Sequence, residues 1–451
     1  MKRLIFILTI LLSIQSFAQE KYSPVQIAER NKPGTVMIEA RFSGTVTAIL
    51  PQVDEQAARQ LVLQIQQQLQ QSGQYTKDLF WNMYIKAFCA NAPQYIKRGT
   101  SQVTKDVNTG MMGSGFIISD DGYVVTNAHV VDENAASTKQ IFAQQAFQSF
   151  IEEDIQDLEQ SMGRKMTKDE SDAVIQADGW YYSQNMVVSK IEKQFGVVLG
   201  VSGDMGEMRP RMIPASVVTQ GEPIPGKDVA ILKLGIDHVY PTVKVGDDKE
   251  INVGENVYVL GYPGAATFHP LLSQSTISEA TLTRGLVSAK KNMKDGWQVL
   301  QIDAAITHGN SGGPVFNEEG EVIGLATFGS IDNRGLEIQG LNFVVPVTIV
   351  KEFFRKADVT PAMSKVSTMY NEALENYDKA WYKKALKEFK SVKELYSAFP
   401  FVDQYISKAR KSIDEGKDKS PGGMGWLLYV AIGVAVLGGA AYFLRKKKPA
   451  A

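Results

Sequence analysis

The chain has 451 residues, 44% hydrophobic and 22% charged, which supports one large or two smaller domains with buried cores and excludes a disordered composition. A formal net charge of -1 and a pI near 6.5 give no global basic field, so nucleic acid is not an expected partner. The single cysteine excludes an intrachain disulfide and the four histidines form no cluster of zinc-ligand spacing, so no metal or other cofactor is expected.

In chain order, residues 1–18, "MKRLIFILTILLSIQSFA", have a basic start, an apolar run and small residues at Ser16 and Ala18, the pattern of a secretory signal peptide. The run is short for an uncleaved anchor helix. Residues 19–360 read as one domain. "TVMIEARFSGTV", Thr35 to Val46, mixes β-branched and polar residues as a strand does. A helical insertion follows at about 51–105, with apolar residues at helical spacing and no glycine until Gly73. It contains Cys89 in "WNMYIKAFCANAP", where the thiol reads as a buried structural group.

Two β-rich runs joined by Asp120-Asp121-Gly122 mark a hairpin in "GSGFIISDDGYVVTNAHVV", Gly113 to Val131. A second helical insertion is expected at about 133–180. From Met186 to Pro346 short β-rich runs recur between turn signals, the spacing of a β-barrel or sandwich.

Residues 361–415 turn helical. Ala373, Tyr382, Ala385, Phe389 and Pro400 are spaced as in a tetratricopeptide (TPR) repeat, with a partial second unit in "FVDQYISKARKSI" behind it, and an amphipathic hairpin fits equally well. A linker at 416–425 leads to "WLLYVAIGVAVLGGAAYFL", Trp426 to Leu444, uncharged and followed by "RKKK" in a tail at 445–451. Its length and flanks give the expectation of one transmembrane helix with a cytoplasmic tail and the body of the protein outside. A cleaved C-terminal sorting signal is the alternative.

Chemistry concentrates in three places. "HGNSGGP", His308 to Pro314, is either a tight turn or the seat of a nucleophilic serine, Ser311. Such a serine needs a neutral imidazole that faces the hydroxyl with one nitrogen and donates to a buried carboxylate with the other. "TNAHVV" supplies His129 and "GKDVAILKL" supplies Asp228. Asp204 and Asp237 are rival acids without a matching strand behind them. His308 reads as a solvated loop residue, and Asp303 as structural or a neighbour of the pocket.

These segments, in the order His, Asp, Ser, resemble the chymotrypsin-fold proteases, most closely the HtrA or Deg-like branch. "GSGFIIS", "RGLVSA" and "QIDAAI" resemble strands of the same family, so that six matches stand in one order across roughly Ile27 to Phe354. The resemblance implies two six-stranded β-barrels with the site in the cleft between them. His129 and Asp228 would come from the first barrel and Ser311 from the second, with Gly309 and Ser311 N–H groups as the oxyanion hole. The expected fold class is therefore mainly β: a double six-stranded barrel of chymotrypsin type with two helical insertions, then a TPR-like helical hairpin and a transmembrane helix.

Enzymes of this type that cut after Arg or Lys carry an acid six positions before the serine. Here that position is Ala305. With Ile306, Leu325, Ala326 and Thr327 it is expected to form a specificity pocket for small or medium apolar residues. The PDZ modules common in the family have no counterpart after Pro346, so regulation and large oligomers that depend on them are not carried over. A homotrimer through the protease domain stays open, as does a protein partner at the helical segments. The leading expectation is an exported, membrane-anchored, ATP-independent serine endopeptidase acting on envelope or misfolded proteins, on the periplasmic or extracellular side of what is expected to be a bacterial inner membrane. The alternatives are a tethered chaperone or binding protein on an inactive or latent protease fold, and an acyl transferase acting on non-peptide esters.

Overall fold

In the computed structural model, residues 21–132, 135–200, 212–235, 239–267, 279–331 and 337–421 are described. Their strands close into two six-stranded barrels, as a chymotrypsin-type fold requires. The first contains β1 (Thr35–Val53), β2 (Ile96–Ile117), β3 (Tyr123–Thr126), β4 (Met186–Val198), β5 (Met212–Gln220) and β6 (Ala230–Leu234), in the order β1-β2-β3-β6-β5-β4. The second contains β7 (Asn256–Gly261), β8 (Thr281–Asn292), β9 (Gln298–Ile302), β10 (Pro314–Phe316), β11 (Val322–Ile331) and β12 (Glu337–Pro346), in the order β10-β11-β12-β9-β8-β7.

The hairpin between β2 and β3 turns at Gly122, whose φ of +92° is left-handed and whose N–H donates to Ser119 O at 3.1 Å. Inside the second barrel, Val257, Val259, Leu300, Ile302, Val315, Ile323 and Val344 form a buried core. Another core, including Phe116, Val125, Ile231, Leu260, Tyr262, Phe316 and Leu325, gathers residues from strands of both barrels. Burial of this apolar area fixes strand register, because a one-residue slip would turn each strand's apolar set outward.

The chain divides into two compact units. Among the described residues, one takes in those up to Ile38, Met112–Val130 and those from Gly196 onward. It holds α1 (Pro24–Asn31), which starts on a Ser23/Gln26 capping box. The other unit is Glu39–Met111 with Val131–Phe195. Its long helices are α2 (Glu55–Ser72), α3 (Lys77–Ala90), α4 (Ala135–Met162) and α5 (Lys168–Asn185). Asp54 caps α2 through Gln56 and Ala57 N–H, and Thr167 with Glu170 forms a capping box on α5. Residues Phe42, Val46, Phe142, Phe150, Tyr181 and Tyr182 make one core of this unit. Ile85, Met162 and Val174 make another, with Cys89 packed against it.

After α6 (Val347–Lys356), residues 365–414 form three helices: α7 (Lys365–Asp378), α8 (Tyr382–Leu395) and α9 (Val402–Asp414), the last in the segment read as a partial second unit. Their core holds Tyr370, Phe389, Phe399 and Tyr405, with Ala373 and Ala385 fully buried. The third helix joins because Tyr405 stacks on Phe389, with ring centroids 5.2 Å apart. The bundle is tied to α1, where Tyr405 Oη donates to Glu29 Oε2 at 2.8 Å and Arg30 meets Glu375 at 3.4 Å.

The expected transmembrane helix requires a correction to the fold class. Among the described residues no helix is long and apolar enough to cross a membrane. The longest, α4 with 28 residues, carries Glu152, Glu153, Asp154, Asp157 and Glu159, too many charges for a hydrocarbon layer. The segments expected as signal peptide (1–18), span (426–444) and tail (445–451) lie outside the described residues.

Candidate active site

His129 sits in a single helical turn, Ala128–Val131, directly after β3, and Asp228 precedes β6 by two residues. Because β3 and β6 pair antiparallel from Tyr123↔Lys233 to Thr126↔Ala230, these two loops emerge side by side. His129 Nδ1 lies 2.7 Å from Asp228 Oδ2, and His129 N–H donates to Asp228 Oδ1 at 2.9 Å. Asp228 is fully buried, whereas 38% of the His129 side chain is exposed. A buried carboxylate is tolerated only when its oxygens find donors. A third donor comes from β11: Thr327 Oγ1 donates to Asp228 Oδ2 at 2.6 Å. The Asp228 carbonyl is held by Asn127 Nδ2 at 2.6 Å.

Ser311 lies in the turn before β10, and its Oγ donates to Thr327 O at 3.1 Å. Thr327 therefore touches both the acid and the serine, one through its hydroxyl and the other through its carbonyl. Gly309, with φ of +100°, occupies a conformation that glycine adopts without strain. A Cβ there would stand 2.4 Å from Tyr262 O and 2.7 Å from Gly264 N. The His308 carbonyl accepts from Gly264 N–H at 2.8 Å and the Asn310 carbonyl from Gly313 N–H at 2.9 Å. In a trans peptide the N–H points opposite to the C=O. Anchoring these two carbonyls thus turns the N–H groups of Gly309 and Ser311 the other way.

Other residues singled out in the sequence are distributed differently. Ala305 is exposed and its carbonyl accepts from Thr283 Oγ1 at 2.9 Å. Ile306 and Ala326 pack into the second-barrel core and Leu325 into the core shared by both barrels. Thr327, read as a pocket wall, faces Asp228 with its hydroxyl. Asp303 Oδ1 accepts from Leu286 N–H at 2.6 Å, a structural bond between neighbouring strands. Asp204 and Asp237 lie outside the described residues. Among the described residues no cluster of His, Cys, Asp and Glu could hold a metal ion. Thr327 as a partner of the acid was missed: nothing local in "LATF" signals a contact with a residue 99 positions away.

Residues 113–325 match the family model described as a trypsin-like peptidase domain. A probable periplasmic serine endoprotease DegP-like of Pseudomonas putida is 31% identical over 179 residues, covering 39% of this chain and 32% of that protein. A namesake from Ectopseudomonas mendocina is 31% identical over 209 residues, covering 45% and 38%. The chain spans about a third of the length of these curated relatives. A solved structure titled HtrA-type protease AlgW with decapeptide overlaps 75% of this chain and 68% of its own, at 18% identity and a TM-score of 0.38. Residues 113–325 are thus similar to a trypsin-like peptidase domain, and the chain resembles the DegP-like serine endoproteases over that region.

Proposed function

We propose that the protein is an ATP-independent serine endopeptidase in which Ser311 is the nucleophile, His129 the general base and Asp228 the acid that orients it. The observation carrying this reading is the His129–Asp228 pair, in which a fully buried carboxylate holds the imidazole through Nδ1. On substrate binding the Ser311 hydroxyl rotates from Thr327 O toward His129 Nε2, gives up its proton there and attacks the scissile carbonyl. Gly309 and Ser311 N–H groups stabilise the oxyanion, His129 returns the proton to the leaving amine, and a water activated by His129 releases the acyl group.

The substrates in this reading are unfolded or misfolded proteins, cut after small or medium apolar residues because no acid stands at Ala305. Export to the periplasm is supported by the basic and apolar start of the chain and by the relatives named as periplasmic. A second reading, a protease fold that binds without turnover, draws on the Ser311 hydroxyl being engaged by Thr327 O.

Fluorophosphonate labelling and casein cleavage, compared with Ser311→Ala, separate the two. Label and cleavage that vanish together in S311A are expected of the protease. A folded wild type that neither labels nor cleaves refutes it.

A further inference from the structure

Glycine at position 309 creates a mechanical problem. Its backbone is free to turn on both sides, yet an oxyanion donor works only if it is already aimed before the reaction. The carbonyls of His308 and Asn310 are held within the second barrel by Gly264 and Gly313 N–H. The other two carbonyls of the loop are held by a single residue of the first barrel. Ser114, near the end of β2, donates its hydroxyl to Gly309 O at 2.7 Å and its N–H to Ser311 O at 2.8 Å.

The hydroxyl also accepts from Tyr262 N–H at 2.9 Å, so its proton is directed at Gly309. Ser114 is itself fixed. It is fully buried, and its carbonyl accepts from Thr126 Oγ1 at 2.7 Å.

We infer that Ser114 is a positioning residue for the oxyanion site, its hydroxyl and N–H clamping the peptide planes that follow Gly309 and Ser311. The inference rests on the serine-protease reading above and adds a residue that touches neither substrate nor the reacting atoms. Without the hydroxyl, the peptide plane after Gly309 loses its anchor and its buried carbonyl its partner, so Gly309 and the Asn310–Ser311 plane beyond it can shift and the two N–H groups lose their common aim. Such a loss falls on the transition state, because the ground-state carbonyl needs these donors less.

The test uses the full chain carrying Ser114→Ala, with Ser114→Cys as a near-isosteric variant that keeps a weak donor. Turnover of an unfolded casein, inhibition by a peptide boronate whose adduct fills the oxyanion site, and thermal melting are measured together. In S114A, kcat should fall by about 10- to 100-fold, short of or equal to the loss of a whole oxyanion donor, with KM within about twofold. Boronate affinity should weaken in parallel, and S114C should lie between S114A and wild type.

Wild-type kcat in S114A, or boronate affinity unchanged while kcat falls, overturns the inference. Loss of the melting transition in both variants gives Ser114 a general structural role and also overturns it. A wild type without Ser311-dependent turnover overturns the functional reading and this inference with it, whereas an active wild type matched by S114A overturns this inference alone.

Discussion

Asp178 on α5 gives the insertion unit a pH dependence with a defined sign. Its Oδ2 is shut off from solvent and has no hydrogen-bond partner. Burial, then the nearby Asp154 of α4, pushes its carboxyl from an ordinary 3.8 up to about 7. Asp154 is pushed up to about 6 by burial, Asp157 and Glu153. The unfolded chain ionises Asp178 near pH 4, whereas the folded unit keeps the proton until about 7. Folding therefore takes up a proton between these values, and stability falls as pH rises through the interval, levelling above it.

The displacement of about three pH units corresponds to about 4 kcal/mol of lost stability at pH 8, an upper bound because part of the residue is in contact with water. Asp178→Leu removes the charge. Denaturant melts followed by tryptophan fluorescence, with Trp81 and Trp180 inside the unit, should show D178L more stable than wild type by about 2–4 kcal/mol at pH 8 relative to their difference at pH 4. Wild type and D178L keeping a constant difference from pH 4 to 8 would refute the reasoning.

Other expectations concern the site and the helical bundle. Thr327→Val leaves the buried Asp228 one donor short, at a cost of about 1–3 kcal/mol, and should lower kcat about tenfold or more with KM nearly unchanged in steady-state assays. Gly309→Ala places a Cβ 2.4 Å from Tyr262 O at a left-handed φ. Its activity should drop at least about 100-fold, read by fluorophosphonate labelling rate, and the melting temperature should fall as well because the backbone must shift to relieve the clash. Phe389→Ala empties a fully buried site in the three-helix core and should cost about 3–5 kcal/mol, seen as earlier proteolysis within residues 365–414.

The candidate site could be picked out of the sequence because each of its residues sits in a short, unusual word: a histidine after an alternating strand, an acid before "VAILKL", a serine between glycines. What these words do not contain is distance. Thr327 reads as one more position in an apolar strand, and only barrel closure carries its hydroxyl to Asp228. Strand lengths were also hidden. β2 runs for 22 residues, but its first half, "IKRGTSQVTKD", is too polar to show the alternation of a half-buried strand. β1 continues to Val53 through Pro51, a residue that normally argues against a strand interior. The third helix of the C-terminal bundle follows a turn at Phe401, held at a φ of +63°, and its place is set by packing among aromatic rings that periodicity alone does not assign.

The wide separation of the site's parts along the chain governs when activity can arise. His129 and Asp228 stand 99 positions apart, and Ser114 and Gly309, which share a hydrogen bond, stand 195 apart. Contacts of such sequence separation form late, after the loops between them have closed. A ribosome making this chain releases the histidine long before the serine and the strand that carries Thr327 exist. On the proposed function, the nascent polypeptide therefore lacks an assembled site, and activity can appear only once the second barrel has been completed.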